Sequence, residues 1–146
     1  MSNTLSAALR HLRDAEHLLS CQERRSSDQA YHLAGFAPEC ARKACLAERW
    51  ADKELGHDFG DHAESCLALL TSIDLQSLRY QSRGWEEQYP KLGQWKVGCR
   101  YEPTGTFDEE RARALIDEAR CATLDICVAL WADGLVTPEV IKHDLL

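Results

Sequence analysis

Cations and aromatic side chains alternate in one segment of the chain, PKLGQWKVGCRY at residues 90–101. Its cations and large aromatic residues, with no acidic residue among them, are Lys91, Trp95, Lys96, Arg100 and Tyr101. Ammonium and guanidinium groups hold phosphate oxygens, and aromatic faces stack on bases. The sequence therefore predicts a ligand-binding site formed by Trp95, Lys96, Arg100 and Tyr101. The alternative interpretation is that the aromatic residues pin a long loop onto the fold while the lysines are solvated.

Potential metal ligands gather in a second segment, GHDFGDHAESC at residues 56–66. If a helix begins near Asp61, then His62 and Cys66 share one of its faces, and His57 would complete a three-ligand site. The spacing matches no standard zinc motif, however, and Asp61 suits the N-cap of a helix. We therefore expect neither a metal ion nor another cofactor.

The remaining residues indicate no catalytic centre by themselves. Neither a glycine-rich phosphate loop nor a nucleophile-elbow sequence occurs. The seven cysteines include no C-x-x-C pair, and most fall among apolar residues, so we expect them to act as small buried hydrophobic residues. Glu109 and Glu110 suit the start of a helix because they lie near its positive end. The residues thus favour a protein that is not an enzyme, but they do not decide whether it has a catalytic activity.

Apolar residues recur every three or four positions through most of the chain, and this spacing predicts an all-α domain. The expected helices cover residues 5–20, Ser26 to about Leu55, 62–70, 73–88 and Thr106 to about Asp133, and a short C-terminal helix begins at Thr137. Four main helices with short connections predict an antiparallel up-and-down bundle.

Local signals mark the ends of these helices. Ser26 with Gln29 forms a capping-box pattern at the start of the second helix, and Thr106 with Glu109 forms another before the last long one. Gly134 suits the residue that ends that last helix, because glycine readily adopts the left-handed conformation found there.

Two regions interrupt the helical pattern. Pro38 lies inside the second helix and lacks a backbone donor, so we expect a kink there. Alternatively the helix breaks, and Pro38 opens a new one at its first turn. Residues 89–107 contain two prolines and three glycines without periodicity, which predicts a long loop of the kind that often carries function.

Composition narrows the class of protein. The 146 residues fit one domain, residues 1–146, with 45% hydrophobic and 28% charged residues. A net charge of −7 opposes broad binding to nucleic acid or anionic membranes, although it leaves room for a local basic patch. No apolar run approaches the ~20 residues of a membrane span. The N-terminal stretch is amphipathic and contains acids, unlike a targeting peptide, so we expect a cytoplasmic protein.

Four segments, in order, resemble the HEPN (higher eukaryote and prokaryote nucleotide-binding) family, in particular its standalone bacterial-type members. They are SAALRHLRDAEHLL, AYHLAGFAPECARKACL, GHDF and QWKVGCRYEPTGTFDEERARALIDEA. The resemblance implies an antiparallel up-and-down four-helix bundle with a short additional C-terminal helix. It also implies a homodimer, with the Ala-rich second helix and the last helix, near Trp131, as candidates for the interface.

Many members of that family are metal-independent ribonucleases of toxins and phage defence, marked by an Arg followed four to six residues later by a His. Arg100 matches the Arg, but residues 101–107 contain no His. The resemblance therefore implies a non-catalytic accessory module in a toxin–antitoxin or defence setting, which binds a nucleotide, an RNA or a protein such as a nucleotidyltransferase. One alternative is a ribonuclease in which Arg100 acts with His57 or His32. Another is a purely structural interaction module.

Overall fold

Three long helices and three short ones make up the parts of the chain that the computed structural model describes, residues 3–44 and 85–139. They are α1 (Asn3–Ser20), α2 (Ser27–Ala44), α3 (Trp85–Gln88), α4 (Pro90–Gln94), a 3₁₀ helix (Val97–Tyr101) and α5 (Glu109–Ala132). No strand occurs in these two ranges, so the predicted all-α class is confirmed for them. The expected helix at 62–70 and most of the one at 73–88 lie outside the described residues. The four-helix up-and-down arrangement therefore stays a prediction.

The core forms where α2 packs against α1 on one side and α5 on the other. The face of α2 consists of small residues that are fully buried: Ala30, Ala34, Ala37 and Ala41. Larger side chains from the other two helices fill the space next to it, among them Leu5, Leu12, Leu115 and Leu130. Small residues on one helix allow its neighbours to approach closely, and the Ala-rich face of α2 therefore packs within the core of the described chain.

Helix α2 continues through Pro38 from Ser27 to Ala44, so the alternative of a break at Pro38 is wrong. The predicted kink stays a prediction, and the stretch from residue 45 to Leu55 lies outside the described residues. At the start of α2, the Ser26 hydroxyl accepts a hydrogen bond from the Gln29 amide at 3.3 Å. The predicted Ser26 cap is thereby confirmed.

Of the two boundaries that the sequence predicts for α5, the structure confirms only the C-terminal one. Asp108, and not Thr106, is the N-cap, because its carboxylate accepts from the Arg111 amide at 2.8 Å. The Thr106 hydroxyl instead donates to the Pro103 carbonyl at 2.6 Å. At the C-terminal end Gly134 has a φ of 73° and ends the helix as predicted. The amides of Gly134 and Leu135 then bond back into the last turn, which is a Schellman motif.

Residues 89–107 are not the long unstructured loop that the sequence predicts, because they contain α4 and the 3₁₀ helix. Pro90 occupies the first turn of α4, where its missing N–H costs nothing. The next two amides, of Lys91 and Leu92, donate to the Glu118 carboxylate at 2.7 and 2.9 Å. A cap supplied from α5, far along the chain, thus turns a stretch without local helical signals into a helix.

Two further observations complete the fold. Helical geometry appears at Pro138 and Glu139, where the sequence predicts a terminal helix, and the described residues end there. Among the helices of the described ranges, none has both the length and the apolar character that crossing a bilayer requires.

The Glu118 cap leads to a stability prediction. We expect Glu118→Ala to lower the free energy of unfolding by about 1 kcal/mol, because two amides of α4 lose a charged acceptor. Asp117→Ala, at the exposed neighbouring carboxylate, is the matched control and should change stability by less than about 0.5 kcal/mol. Urea denaturation of both variants measures the difference. Equal losses would contradict a specific role for the cap.

Candidate functional site

The segment from Trp95 to Phe107 runs antiparallel along one face of α2. Its contacts descend the helix in order: Trp95 on Gly35, Cys99 on His32, and then Gly105 and Phe107 on Asp28. Helix positions 28, 32 and 35 are separated by four and three residues, so they share one face. We call this stretch, residues 95–107, the docked segment.

Trp95 anchors the docked segment at its first residue. The indole lies on the backbone of α2 so closely that a Cβ built on Gly35 would come within 2.2 Å of the ring carbons. Phe36 packs edge-on against the same indole, with 5.1 Å between ring centroids. Trp95 is therefore 4% exposed, and its ring belongs to the core. Its predicted contact with a ligand stays a prediction, whereas its part in pinning the segment is evident from these contacts.

Asp28 and Ser27 anchor the other end. The two carboxylate oxygens of Asp28 accept from the amides of Gly105 and Phe107 at 2.7 and 2.8 Å, and the Ser27 hydroxyl donates to the Phe107 carbonyl at 2.6 Å. The Phe107 ring stacks on Tyr31 with 3.9 Å between centroids. Sequence reasoning missed Asp28, since an acid in the first turn of a helix suits the helix dipole without any further partner.

Between the two anchors, the docked segment presents its charged and aromatic groups to solvent. Lys96 and Arg100 are exposed, and Tyr101 is 77% exposed. The Arg100 guanidinium carbon lies 4.7 Å from the centroid of the Tyr101 ring, a cation–π contact. Glu102, which is also exposed, is the one acid between residues 90 and 105. Three of the four predicted ligand residues, Lys96, Arg100 and Tyr101, are thus accessible. Arg100 and Tyr101 lie in the 3₁₀ helix, and Lys96 directly precedes it.

His32 and Cys99 meet inside this arrangement. The Nδ1 atom of His32 lies 3.3 Å from the Sγ atom of Cys99, and His32 is only 8% exposed. Burial raises the pKa of the Cys99 thiol to about 11, so the thiol is protonated at neutral pH. Cys99 therefore meets His32 as a thiol and not as an activated thiolate.

Of the two histidines in the ribonuclease alternative, the structure describes one. His32 contacts Cys99, the residue before Arg100 in the chain, whereas His57 lies outside the described residues. The segment GHDFGDHAESC lies outside them as well. Within the ranges that are described, no three His, Cys, Asp or Glu side chains are grouped so that they could hold a metal ion.

The Trp95 anchor leads to a second stability prediction. We expect Gly35→Ala to lower the free energy of unfolding by about 1–3 kcal/mol, because the new methyl group would displace the indole. Alanine normally stabilises a helix relative to glycine, so the sign of the effect is diagnostic. The control is Gly98→Ala in the 3₁₀ helix, where an added Cβ meets nothing within 4 Å. Urea denaturation measures both variants, and a more stable Gly35→Ala protein would contradict the anchor.

The His32–Cys99 contact leads to a prediction about reactivity. With a pKa of about 11, about one Cys99 side chain in a thousand is a thiolate at pH 8. Iodoacetamide should therefore label Cys99 much more slowly than the exposed Cys121. Time-resolved peptide mass spectrometry measures both rates, and denatured protein provides the control in which both sites react. Faster labelling of Cys99 would mean that His32 activates it.

No protein-family model, curated protein or solved structure matches the chain. The HEPN resemblance therefore depends on the four sequence segments alone, and membership of that family stays a prediction. The geometry of the docked segment is evidence that does not depend on any relative. It shows an exposed cationic and aromatic group on a segment that is fixed at both ends.

Proposed function

We propose that this protein is a non-catalytic, HEPN-type accessory module that binds a nucleotide or single-stranded RNA through Lys96, Arg100 and Tyr101. The observation that supports the proposal is the exposed Arg100–Tyr101 pair, held between the Trp95 anchor and the Asp28 anchor. A phosphate group bonds to the two cations, and a base stacks on the accessible Tyr101 ring. The four-helix bundle, the homodimer and the toxin–antitoxin or defence setting belong to the same proposal.

The fixed anchors favour binding because the docked segment loses less conformational entropy when the ligand binds. The docked segment is held by the indole of Trp95 and by the three hydrogen bonds of Asp28 and Ser27. Ligand binding then orders only the outer ends of Lys96 and Arg100, which costs about 0.5–1.5 kcal/mol for each side chain. A mobile loop with the same residues would have to be ordered along its whole length.

The overall charge of the chain restricts the ligand to this patch. With a net charge of −7, the rest of the molecule repels a polyanion, so contact is local and involves few phosphates. Affinity for RNA should therefore be moderate, and it should fall with salt by a slope that reflects two or so phosphate contacts.

A second candidate function is a metal-independent ribonuclease. The observation in its favour is the contact of the His32 imidazole with Cys99, the residue that precedes Arg100 in the chain. In that mechanism Arg100 stabilises phosphate charge and His32, or His57, accepts the proton of the 2′-hydroxyl group. His32 is 8% exposed and already contacts the Cys99 sulfur, so the geometry favours the binding module.

Removal of the Arg100 guanidinium tests the binding site. We expect Arg100→Ala to weaken the affinity for a mixed-sequence single-stranded RNA about tenfold, because a charge-assisted contact and the support of the Tyr101 ring are lost. Arg24→Ala, which removes another exposed Arg outside the docked segment, should stay within about twofold of the parent. Fluorescence anisotropy of a 5′-labelled RNA with chelator present measures both affinities.

The same samples distinguish the outcomes. Equal affinities for the parent and both variants would contradict the proposed site. Gel analysis of the RNA after incubation reports cleavage. If the parent cleaves RNA in chelator and Arg100→Ala does not, the ribonuclease is correct and the non-catalytic module is wrong.

A further inference from the structure

Glu102 directly follows Tyr101 in the chain and carries the charge opposite to that of Lys96 and Arg100. It ends the 3₁₀ helix, where its amide donates to the Cys99 carbonyl at 3.2 Å and its backbone is extended, with φ −69° and ψ 151°. The residue is exposed, and within the part of the chain that the structure describes its carboxylate has neither a hydrogen bond nor an ion pair. Glu102 therefore offers an accessible acceptor at the edge of the proposed ligand site.

Arg100 does not neutralise this carboxylate. The guanidinium lies over the Tyr101 ring, 4.7 Å from the centroid, and among the described residues it forms no ion pair with Glu102. It covers one of the two faces of the ring. Because Tyr101 is 77% exposed, the other face is open to one stacked base.

The charge of Glu102 indicates which part of a nucleotide it meets. A carboxylate two residues from Arg100 disfavours a phosphate group, because like charges repel. An ionised carboxylate accepts hydrogen bonds and cannot donate them, so it suits a ligand group that presents donors. In a nucleotide the N–H donors belong to the base. The partner of Glu102 is therefore the base and not the phosphate.

The Watson–Crick edges of the four bases differ in what they offer to a carboxylate. Guanine has two neighbouring donors, the N1–H and the 2-amino group, which match the two carboxylate oxygens. Adenine and cytosine have one amino group beside a ring nitrogen that accepts, and uracil has one N–H between two carbonyl oxygens. An acceptor beside the donor repels the second carboxylate oxygen, so guanine is the base that forms a bidentate pair.

We propose that Glu102 makes the site selective for guanine. The base stacks on the open face of Tyr101, its N1–H and 2-amino group donate to the Glu102 carboxylate, and its phosphate bonds to Lys96 and Arg100. Consecutive Cα atoms are about 3.8 Å apart, and the rotatable side chain of Glu102 can bring its carboxylate to the edge of a base on the neighbouring ring. The inference rests on the proposed function, because it names the base that the same site recognises.

Replacement of one base in a short RNA tests the selection with the protein unchanged. The probes are 5′-labelled uridine hexamers whose third residue is guanosine, inosine or adenosine, and inosine differs from guanosine only in lacking the 2-amino group. We expect the guanosine probe to bind about tenfold more tightly than the adenosine probe, with the inosine probe between them. Fluorescence anisotropy with chelator present measures the three affinities.

A variant assigns the preference to Glu102. With Glu102→Gln, the affinities for the guanosine and adenosine probes should agree within about twofold, because the amide replaces one acceptor by a donor. Its affinity for the adenosine probe should be no weaker than that of the parent, since a negative charge beside the phosphate is removed. Glu110→Gln, at an exposed acid outside the docked segment, is the matched control and should keep the full preference.

Competition distinguishes the two sources of a guanine base. Displacement of the guanosine probe by free guanosine 5′-monophosphate, and not by adenosine 5′-monophosphate, would support a mononucleotide ligand. Failure of both to displace it would support guanine within RNA. Equal displacement by the two would overturn the selection.

The remaining outcomes separate this inference from the proposed function. If the parent binds the three probes equally and Arg100→Ala weakens all of them, guanine selection is wrong and the proposed site stands. A preference for guanosine that survives in Glu102→Gln would overturn the role of Glu102. If none of the probes binds, both proposals are wrong.

Discussion

The contact of the Trp95 indole with the backbone of α2 at Gly35 is the constraint on which the candidate site depends. A side chain at position 35 would occupy the volume of the ring, so the absence of a Cβ allows the indole to reach the helix. Once Trp95 is fixed, the chain that follows lies along the same face of α2. Cys99 then meets His32, and the amides of Gly105 and Phe107 meet Asp28.

Satisfied backbone groups make this docking possible. A segment with few local helical signals would normally leave backbone amides without partners in the protein. Here two carboxylates supply the acceptors: Glu118 for the first amides of α4, and Asp28 for the amides near the end of the docked segment. Both acids lie on long helices, so the core itself determines where the segment is held.

The same packing leaves one charged surface that the described core does not use. It is cationic and aromatic, formed by Lys96, Arg100 and Tyr101. The Trp95 and Asp28 anchors hold the segment that carries it. The proposed phosphate-bearing ligand would meet this surface without any rearrangement of the segment beneath it.

The sequence by itself determined the features that depend on neighbours a few residues apart. The periodicity of α1 and α5, the Ser26 cap and the end of α5 at Gly134 are of this kind, because one helical turn contains all the atoms involved. Only the tertiary structure decided that α4 forms, that Trp95 is buried and that His32 lies on Cys99. Each of these depends on partners tens of residues away, and local spacing carries no information about them.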